Sequence, residues 1–364
     1  MSKLHKAIRD LIAHTSAHEP TVTSEEITEG WADTVSRALS VARRNRRRYT
    51  AAAAIGAAAV VGALLWLTIP SGTGLLSTGR EIELYALRTP ASFTDGEGSS
   101  VKLLMAGGTE MLIDSPEALI DHDASGSLVI DHDSVAAPAV AEQAPSDAPV
   151  YNQVIVPYGR RSRLTMADGT RMWLNSGSRV VYPAAFASDS REIYLEGEAY
   201  LEVARDTSRP FTVKTSSMNI RVTGTRFNVF AYPGEARHEV ALVQGGVTVR
   251  GSSAGECRLT PGHAVSSTAG GDLGSARRAD VTSRISWVTN TLIYDDEPLQ
   301  GVFERLRLYY GKQFVMDAGL DHIHITGKLD MPGSLESILE SIAFSVPVTF
   351  EHAGGDTIRV HSLK

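Results

Sequence analysis

Cysteine is almost missing from this sequence, which has Cys257 alone among its 364 residues. One thiol cannot form an intramolecular disulfide or a thiolate metal cluster. The sequence also lacks a glycine-rich phosphate loop, a nucleophile elbow and a Cys/His constellation. We therefore expect that the packing of its core stabilises the protein. We also expect that it is not an enzyme and has no catalytic, cofactor-binding or metal-binding residues.

Charge is missing from one stretch, residues 50–69 (TAAAAIGAAAVVGALLWLTI). A helix of this length spans ~30 Å, the thickness of the hydrocarbon core of a bilayer. Six arginines precede it, namely Arg37, Arg43, Arg44, Arg46, Arg47 and Arg48. The positive-inside rule then places residues 1–49 in the cytoplasm and residues 70–364 outside. We predict a single-pass membrane protein. The alternative, a cleaved signal peptide, is disfavoured because its apolar region would be about 7–15 residues long and nearer the N-terminus.

The segment before the membrane, residues 1–49, is predicted to form two short helices. The second begins at Thr23, which has Glu26 three residues later as in a capping box. Its apolar side gives the candidate partner-binding residues Ile27, Trp31, Val35 and Leu39. Two short helices bury too little surface to form a core. Their apolar sides need the membrane surface, a second copy or a cytoplasmic protein, and the alternative is a disordered tail with a juxtamembrane helix.

The outer residues 70–284 are predicted to form a mainly-β domain. Short strands alternate with turn signals every 8–12 residues, which indicates a sandwich, a roll or a solenoid-like sheet. Asp168-Gly169 is a favoured hairpin turn between two alternating strands. A short strand is predicted at Ile82–Leu87, and the Ala/Pro-rich residues 134–149 are predicted to be a linker.

The last part, residues 285–364, is predicted to be a small α+β domain. Two helical patterns are capped by Asp296 and Ser334. Their apolar residues repeat at a constant offset of 36 positions, which indicates an internal βαβ repeat; the two sets are Leu299, Val302, Phe303 and Leu306, and Leu335, Ile338, Leu339 and Ile342.

A family resemblance rests on motif runs that occur in one order. They are Pro157-Tyr158-Gly159, Asp168-Gly169-Thr170, Trp173-Leu174-Asn175, Gly197-Glu198-Ala199-Tyr200 and Gly224-Thr225-Arg226-Phe227-Asn228-Val229. With these runs, residues 101–265 resemble the FecR-type periplasmic domain. Residues 285–364 resemble the small secretin/TonB short N-terminal type domain that follows it in such proteins.

The resemblance implies a function for the whole chain. FecR-type proteins are single-pass inner-membrane anti-sigma regulators of extracytoplasmic-function sigma factors. It implies two partners, a cytoplasmic sigma factor and the signalling domain of an outer-membrane TonB-dependent transporter, and no direct contact with nucleic acid. The short inner segment departs from the family, and a membrane-anchored binding or scaffold protein without a sigma partner is the alternative.

Three acidic or histidine clusters were considered as sites. Asp121-His122-Asp123 and Asp131-His132-Asp133 could hold a divalent cation across a hairpin, and an enzyme using them is a further alternative. His322 and His324 share a strand face, as zinc ligands do. Two of the three residues Glu196, Glu198 and Glu202 could act as paired carboxylates in acid–base catalysis. For each cluster we favour an ordinary solvated surface.

One charge placed in the membrane stretch should prevent its insertion. Its seven Ile, Val and Leu residues favour insertion by roughly 3 kcal/mol in total, and one central arginine costs ~2.5–3.5 kcal/mol. Val60→Arg is therefore expected to release the protein from membranes in alkali extraction, whereas Val60→Leu should not. Retention of the arginine variant in the membrane pellet would contradict the predicted span.

Overall fold

The structure is a computed structural model that describes residues 81–89, 100–106, 108–122, 128–135, 151–253, 255–331 and 334–363. Among these residues, none of the helices is long and apolar enough to cross a membrane. The predicted span at 50–69, the segment 1–49 and nearly all of the predicted linker at 134–149 lie outside the described residues. The four domains proposed from the sequence, with their bounds, stay predictions.

Eighteen strands form a β domain. In chain order they are β1 (Val101–Leu104), β2 (Glu110–Ile113), β3 (Glu117–His122), β4 (Leu128–Ile130), β5 (Asp133–Val135), β6 (Tyr151–Ile155), β7 (Arg161–Thr165), β8 (Arg171–Leu174), β9 (Arg179–Pro183), β10 (Arg191–Glu202), β11 (Phe211–Lys214), β12 (Met218–Val222), β13 (Arg226–Ala231), β14 (Arg237–Gln244), β15 (Val247–Gly251), β16 (Glu256–Leu259), β17 (His263–Thr268) and β18 (Arg277–Arg278).

The strands pair into two layers. One has the order β2-β1-β6-β9-β10-β11-β12-β15-β16. The other has the order β5-β4-β3-β7-β8-β10-β13-β14-β17-β18. Buried aliphatic residues from both layers form one continuous core. The predicted mainly-β domain is confirmed, and of the predicted arrangements the sandwich is the one observed.

Strand β10 belongs to both layers. Residues 191–196 pair with β9 and β11, and residues 197–202 pair with β8 and β13. Gly197 lies at the change of layer with a φ of +102°, and a Cβ there would be 2.4 Å from Ser178 Oγ. Only glycine fits this backbone and this close approach, so Gly197 allows one strand to turn the corner of the sandwich.

The hairpin predicted at Asp168-Gly169 is observed between β7 and β8. Gly169 has a φ of +83°, and the Met166 amide donates to the Thr170 carbonyl at 2.9 Å. Leu164 and Met172 are paired across the hairpin and are buried in the core. The alternation of apolar residues therefore set the correct register of this hairpin.

The predicted strand at Ile82–Leu87 is wrong, because these residues lie in a helix, α1 (Glu81–Arg88). Its buried residues are Ile82 and Ala86, one helical turn apart, and they pack on Tyr151, Val181 and Tyr194 on the outer face of the first layer. Acidic residues in the first turn and Arg88 in the last turn also favour a helix.

Arg179 fastens α1 to the sheet from inside the protein. Its side chain is 1 % exposed, and it donates to the Ala86 and Thr89 carbonyls at the end of the helix. It also donates to Gln153 Oε1 at 2.8 Å and to Glu196 at 3.2 Å. One guanidinium therefore joins the helix to three neighbouring strands of the first layer.

The C-terminal unit begins with α2 (Val281–Ile285) and a 3₁₀ turn (Ser286–Thr289). It continues with β19 (Thr291–Pro298), α3 (Leu299–Tyr310), β20 (Gln313–Met316), β21 (His324–Asp330), α4 (Leu335–Ser345), β22 (Val348–His352) and β23 (Thr357–Ser362). The eight apolar residues of the two predicted helical sides are all buried in its core. The predicted small α+β domain is confirmed.

The repeat is arranged differently from a parallel βαβ sheet. β19 pairs antiparallel with β21, while β20 and β22 flank β23, which is parallel to the first and antiparallel to the second. Equivalent strands of the two halves therefore run in opposite directions, as in units related by a half-turn.

The two helix starts also differ from each other. Ser334 caps α4 by accepting from the Ser337 amide, as predicted. Asp296 does not cap α3, because it lies in a bulge of β19 with a φ of +48°. The N-cap is Pro298, and the Leu299 amide donates to the Ile323 carbonyl at 2.8 Å instead.

Loss of the Arg179 side chain should destabilise the β domain strongly. Arg179→Met leaves buried carbonyls and part of Glu196 unpaired, which costs about 3–5 kcal/mol of unfolding free energy. Arg258→Met is the control, because Arg258 is 83 % exposed and pairs with Glu256 at the surface. That control should change stability by less than about 0.5 kcal/mol. Urea denaturation measures both, and equal effects would disprove the role given to Arg179.

Candidate functional site at the seam between the β domain and the C-terminal unit

The C-terminal unit meets the β domain along a surface that we call the seam, and Tyr158 lies at one end of it. A glycine from each unit approaches the ring. A Cβ on Gly177 would be 2.7 Å from Tyr158 Cε1, and a Cβ on Gly311 would be 2.6 Å from its Cδ2. Gly311 also ends α3 with a φ of +67°. The two backbones can reach the ring only because neither residue has a side chain.

Tyr309 on the last turn of α3 binds the same region of the β domain. Its carbonyl accepts from the Gly159 amide at 2.7 Å and from the Ser176 hydroxyl. Its own hydroxyl donates to the Gly159 carbonyl at 3.3 Å. The carbonyls at the end of α3, which have no partner within the helix, thus find donors in the β domain.

Arg161, the first residue of β7, is the central cation of the seam. Its side chain is buried, with 5 % of the residue exposed. Its Nε donates to Asn175 Oδ1 at 3.1 Å, and its Nη1 donates to Asn290 in the C-terminal unit. Its Cζ lies 4.7 Å from the ring centroid of Tyr309 and 5.7 Å from that of Trp287. Burial lowers the pKa of Arg161, although a guanidinium stays charged. Desolvated stacking of this kind contributes about 2 kcal/mol.

Glu239 on β14 gathers three arginines beside the seam. Arg237 and Arg277 lie 2.6 and 3.0 Å from its Oε2, and Arg284 of α2 binds Oε1. Burial opposes ionisation of Glu239, but the hydrogen bonds and charges of the arginines outweigh it and lower its pKa. A second ion pair joins Arg307 of α3 to Glu235. The Arg284–Glu239 pair and the Arg307–Glu235 pair each connect the C-terminal unit to the β domain.

A cavity of about 470 Å³ opens along the seam. Its lining includes Arg161, Glu198, Asn228, Trp287 and Arg305. Glu198 is half-buried and lines this cavity, and its carboxylate accepts from Asn175 Nδ2 and Asn228 Nδ2, both at 2.9 Å. Burial raises the pKa of Glu198, and the two amides and the charges of Arg305 and Arg161 oppose that effect.

Glu196, Glu198 and Glu202 therefore do not form the single solvated surface that we favoured from the sequence. Glu196 pairs with Arg179 on the first layer, and Glu202 pairs with Arg171 and Arg226 on the second. The corner at Gly197 separates Glu196 from the other two. Glu198 has cavity amides as its partners in place of a surface cation.

The residues considered as metal ligands have other contacts. Asp131 accepts from the Leu119 amide at 2.8 Å, and His122 Nε2 lies 2.8 Å from the Tyr182 hydroxyl. His324 contacts Asp296. Asp123 lies outside the described residues. Within the part of the chain that the structure describes, no three His, Cys, Asp or Glu residues are placed to hold a metal ion together.

Comparison with known proteins gives the family. Residues 152–248 match the FecR protein family model, and residues 291–360 match the model named FecR, C-terminal. The resemblance to the FecR family is confirmed over these two regions. The FecR region contains the seam residues Tyr158, Arg161 and Glu198, and the FecR C-terminal region contains Tyr309 and Gly311. The family is non-enzymatic, so the prediction that the chain is not an enzyme is confirmed.

Solved structures extend the comparison. Two crystal structures of a candidate anti-sigma factor from Parabacteroides distasonis ATCC 8503, at 1.65 and 2.50 Å resolution, are each 28 % identical to this chain with a TM-score of 0.51. They cover 58 % and 59 % of this chain, which in turn covers 99 % and 100 % of theirs. No curated protein matches the chain significantly.

Sequence reasoning missed the seam. The runs Pro157-Tyr158-Gly159 and Trp173-Leu174-Asn175 carried the family resemblance, yet Tyr158, Gly159 and Asn175 also contact seam residues. A glycine directly after an aromatic residue was the available signal. The predicted partner-binding residues Ile27, Trp31, Val35 and Leu39 lie outside the described residues and stay predictions.

A methyl group at Gly311 should separate the two units locally. Gly311→Ala forces a Cβ into Tyr158, whereas Gly319→Ala has a comparable positive φ but open space around it. Both lose about 1 kcal/mol to backbone strain, and Gly311→Ala should lose about 1–3 kcal/mol more through overpacking. Hydrogen exchange should then rise at the end of α3 in Gly311→Ala alone. The same exchange pattern in both variants would argue against a tight contact at Tyr158.

The Glu239 cluster should make the seam sensitive to acid. The pKa of Glu239 is lowered in the folded protein, so its stabilisation is complete above its ordinary value of 4.5. That stabilisation is lost as the pH falls through the lower folded value. Glu239→Gln should therefore reduce unfolding free energy by about 3 kcal/mol near neutral pH. The difference from wild type should shrink in strongly acidic urea titrations, and a difference independent of pH would contradict this assignment.

Proposed function

We propose that the chain is a transmembrane anti-sigma regulator that relays a signal from an outer-membrane TonB-dependent transporter to an extracytoplasmic-function sigma factor. Residues 1–49 would hold the sigma factor in the cytoplasm, residues 50–69 would cross the inner membrane, and residues 70–284 and 285–364 would lie in the periplasm. The proposal rests on one observation: a FecR region is followed by a FecR C-terminal region in the same chain, and the fold is similar to that of a candidate anti-sigma factor.

The signal is proposed to enter through the periplasmic units. The transporter's signalling domain would bind them, and a change at the C-terminal unit would reach the β domain through Arg161, Tyr309 and the ion pairs of the seam. α1 is the first described helix after the predicted span, and Arg179 fixes it to the sheet. A change in the β domain would therefore act on the chain next to the membrane.

The step across the membrane is proposed to be cleavage near the membrane or altered assembly. A single helix transmits displacement poorly as a rod, because nothing in the bilayer holds it laterally. The sigma factor would be released when the inner segment is freed or rearranged. These four residues, Ile27, Trp31, Val35 and Leu39, would form its binding surface, because they are on the apolar side of a predicted helix that is too short to bury them alone.

The alternative function is a membrane-anchored periplasmic binding or scaffold protein without a sigma partner. The short inner segment favours it. The two proposals differ in one result, because deletion of residues 1–40 should alter transcription only if a sigma factor binds there.

A pull-down tests the sigma partner directly. Residues 1–49 serve as bait in native lysate, and the wild-type segment should recover a sigma factor identified by mass spectrometry. Trp31→Ala with Leu39→Ala removes the apolar side and should lose at least about tenfold of the recovered protein, as expected for central apolar anchors.

A matched control is Asp33→Ala with Ser36→Ala on the opposite side of the predicted helix, which should retain the sigma factor. Circular dichroism should show that all three baits are equally helical. A helical wild-type bait that recovers no sigma factor would refute the proposal and favour the scaffold alternative.

A further inference from the structure

One wall of the seam cavity is a continuous row of polar side chains. Arg161 binds Asn175, Asn175 binds Glu198, and Glu198 binds Asn228. Trp287 packs against Arg161 at the start of this row. The row therefore has a cation and an indole at one end and a carboxylate and an amide at the other.

The two charges of this row have no ion-pair partner among the described residues. Arg161 is held by amide oxygens and two aromatic rings, and Glu198 is held by two amide nitrogens. Of the other charged residues that line the cavity, Arg284 binds Glu239 and Arg305 binds Glu297 at 2.9 Å, while Asp280 and Asp295 are exposed to solvent. The charges of Arg161 and Glu198 act on each other across Asn175, but no oppositely charged group that the structure describes lies at ion-pair distance from either, and charges in a protein interior are usually paired directly.

Each end of the row also has a hydrogen-bonding atom without a partner in the described part of the chain. Trp287 Nε1 is a buried donor and Asn228 Oδ1 is a buried acceptor, and both residues are 3 % exposed and line the cavity. Unmatched buried groups of this kind are uncommon in proteins, and a water or a bound molecule that reached them would satisfy them. Trp287 Nε1, the unmatched donor, lies at the Arg161 end of the row, and Asn228 Oδ1, the unmatched acceptor, lies at the Glu198 end.

We propose that the seam cavity binds a zwitterionic amino acid or short peptide. Its carboxylate lies against Arg161 and Trp287 Nε1, and its ammonium group lies against Glu198 and Asn228 Oδ1. This arrangement satisfies both open atoms and pairs both charges. The cavity volume of about 470 Å³ accommodates a molecule of this size.

The aromatic side chains favour this ligand over a neutral sugar. The guanidinium of Arg161 already stacks on the rings of Trp287 and Tyr309. Trp287 is nearly fully buried. The guanidinium therefore occupies one face of each ring on which a sugar would stack.

A ligand in this place would also affect the seam. Arg161, Glu198 and Asn228 belong to the β domain, while Trp287 and Arg305 belong to the C-terminal segment. Occupancy would therefore add contacts between the two parts and stabilise their docking by mass action. This inference is independent of the sigma factor partner.

The test is calorimetric titration of the purified full chain in detergent with each of the twenty common L-amino acids and with glycylglycine. We expect at least one to bind and to raise the melting temperature. The N-acetyl and the amide derivatives of that ligand should each bind at least about tenfold more weakly, because each removes one charged contact.

Three variants make the test specific. Trp287→Phe removes an N–H that has no partner among the described residues, so affinity should fall about fivefold or more, while the smaller ring lowers the melting temperature of the free protein without unfolding it. Glu198→Gln should lower affinity about tenfold and reduce the preference for a free ammonium group. Glu202→Gln is the control on the same strand, and it should bind the ligand as the wild type does, because Glu202 pairs with arginines outside the cavity.

Two outcomes would overturn the inference. If no probe binds at about 10 mM, the open atoms are satisfied by water alone. If the blocked derivatives bind as tightly as their parent, the cavity takes a neutral polar ligand and the charges of Arg161 and Glu198 do not select it.

Discussion

Three buried guanidinium groups fix segments that the sheets alone do not hold. Arg161, Arg179 and Arg191 are each the first residue of a strand and each at most 5 % exposed. Arg179 holds α1, Arg161 holds the C-terminal unit, and Arg191 donates to the Arg209 and Ala204 carbonyls of the loop after β10 and pairs with Asp168 at 2.7 Å. A guanidinium has five donors in a rigid plane, so it can satisfy several buried carbonyls at once. In a chain with one cysteine, the hydrogen bonds of these side chains connect distant segments, as disulfides do in other proteins.

The seam joins the FecR region to the FecR C-terminal region through several kinds of contact. Its contacts are mixed: a stacked cation, backbone hydrogen bonds at the end of a helix, and ion pairs at the edge. Apolar packing contributes too, because Tyr200 and Trp173 of the β domain join the core of the C-terminal unit. Interfaces that combine buried and charged contacts hold their partners in one geometry and yet depend on a few groups. A regulator built in this way can respond to changes at those groups without unfolding either part.

Much of the fold follows from local sequence pattern. Alternation identified the hairpin at Asp168-Gly169, and the helical spacing of Leu299 to Leu306 and of Leu335 to Ile342 identified both helices of the C-terminal unit. The segment that forms α1 was predicted to be a strand because Ile82 and Leu84 alternate with polar residues. The segment is too short for the 3.6-residue period of a helix to be recognised. The bulge at Asp296 and the opposite directions of the repeat halves depend on pairing between distant segments. The seam could not be predicted for the same reason, since Arg161, Asn290 and Tyr309 are far apart in the chain and meet only in three dimensions.

The passage of β10 from one layer to the other also affects how the β domain can form. Its partners are β8 and β9 before it and β11 and β13 after it, so neither layer is complete until chain from both sides has arrived. Such non-local pairing makes folding slow, because long loops must close before their contacts are gained. It also links the layers thermodynamically, since removal of β10 would open both of them. The sandwich is therefore one cooperative unit, and its slow formation leaves unpaired strand edges exposed for longer in the nascent protein.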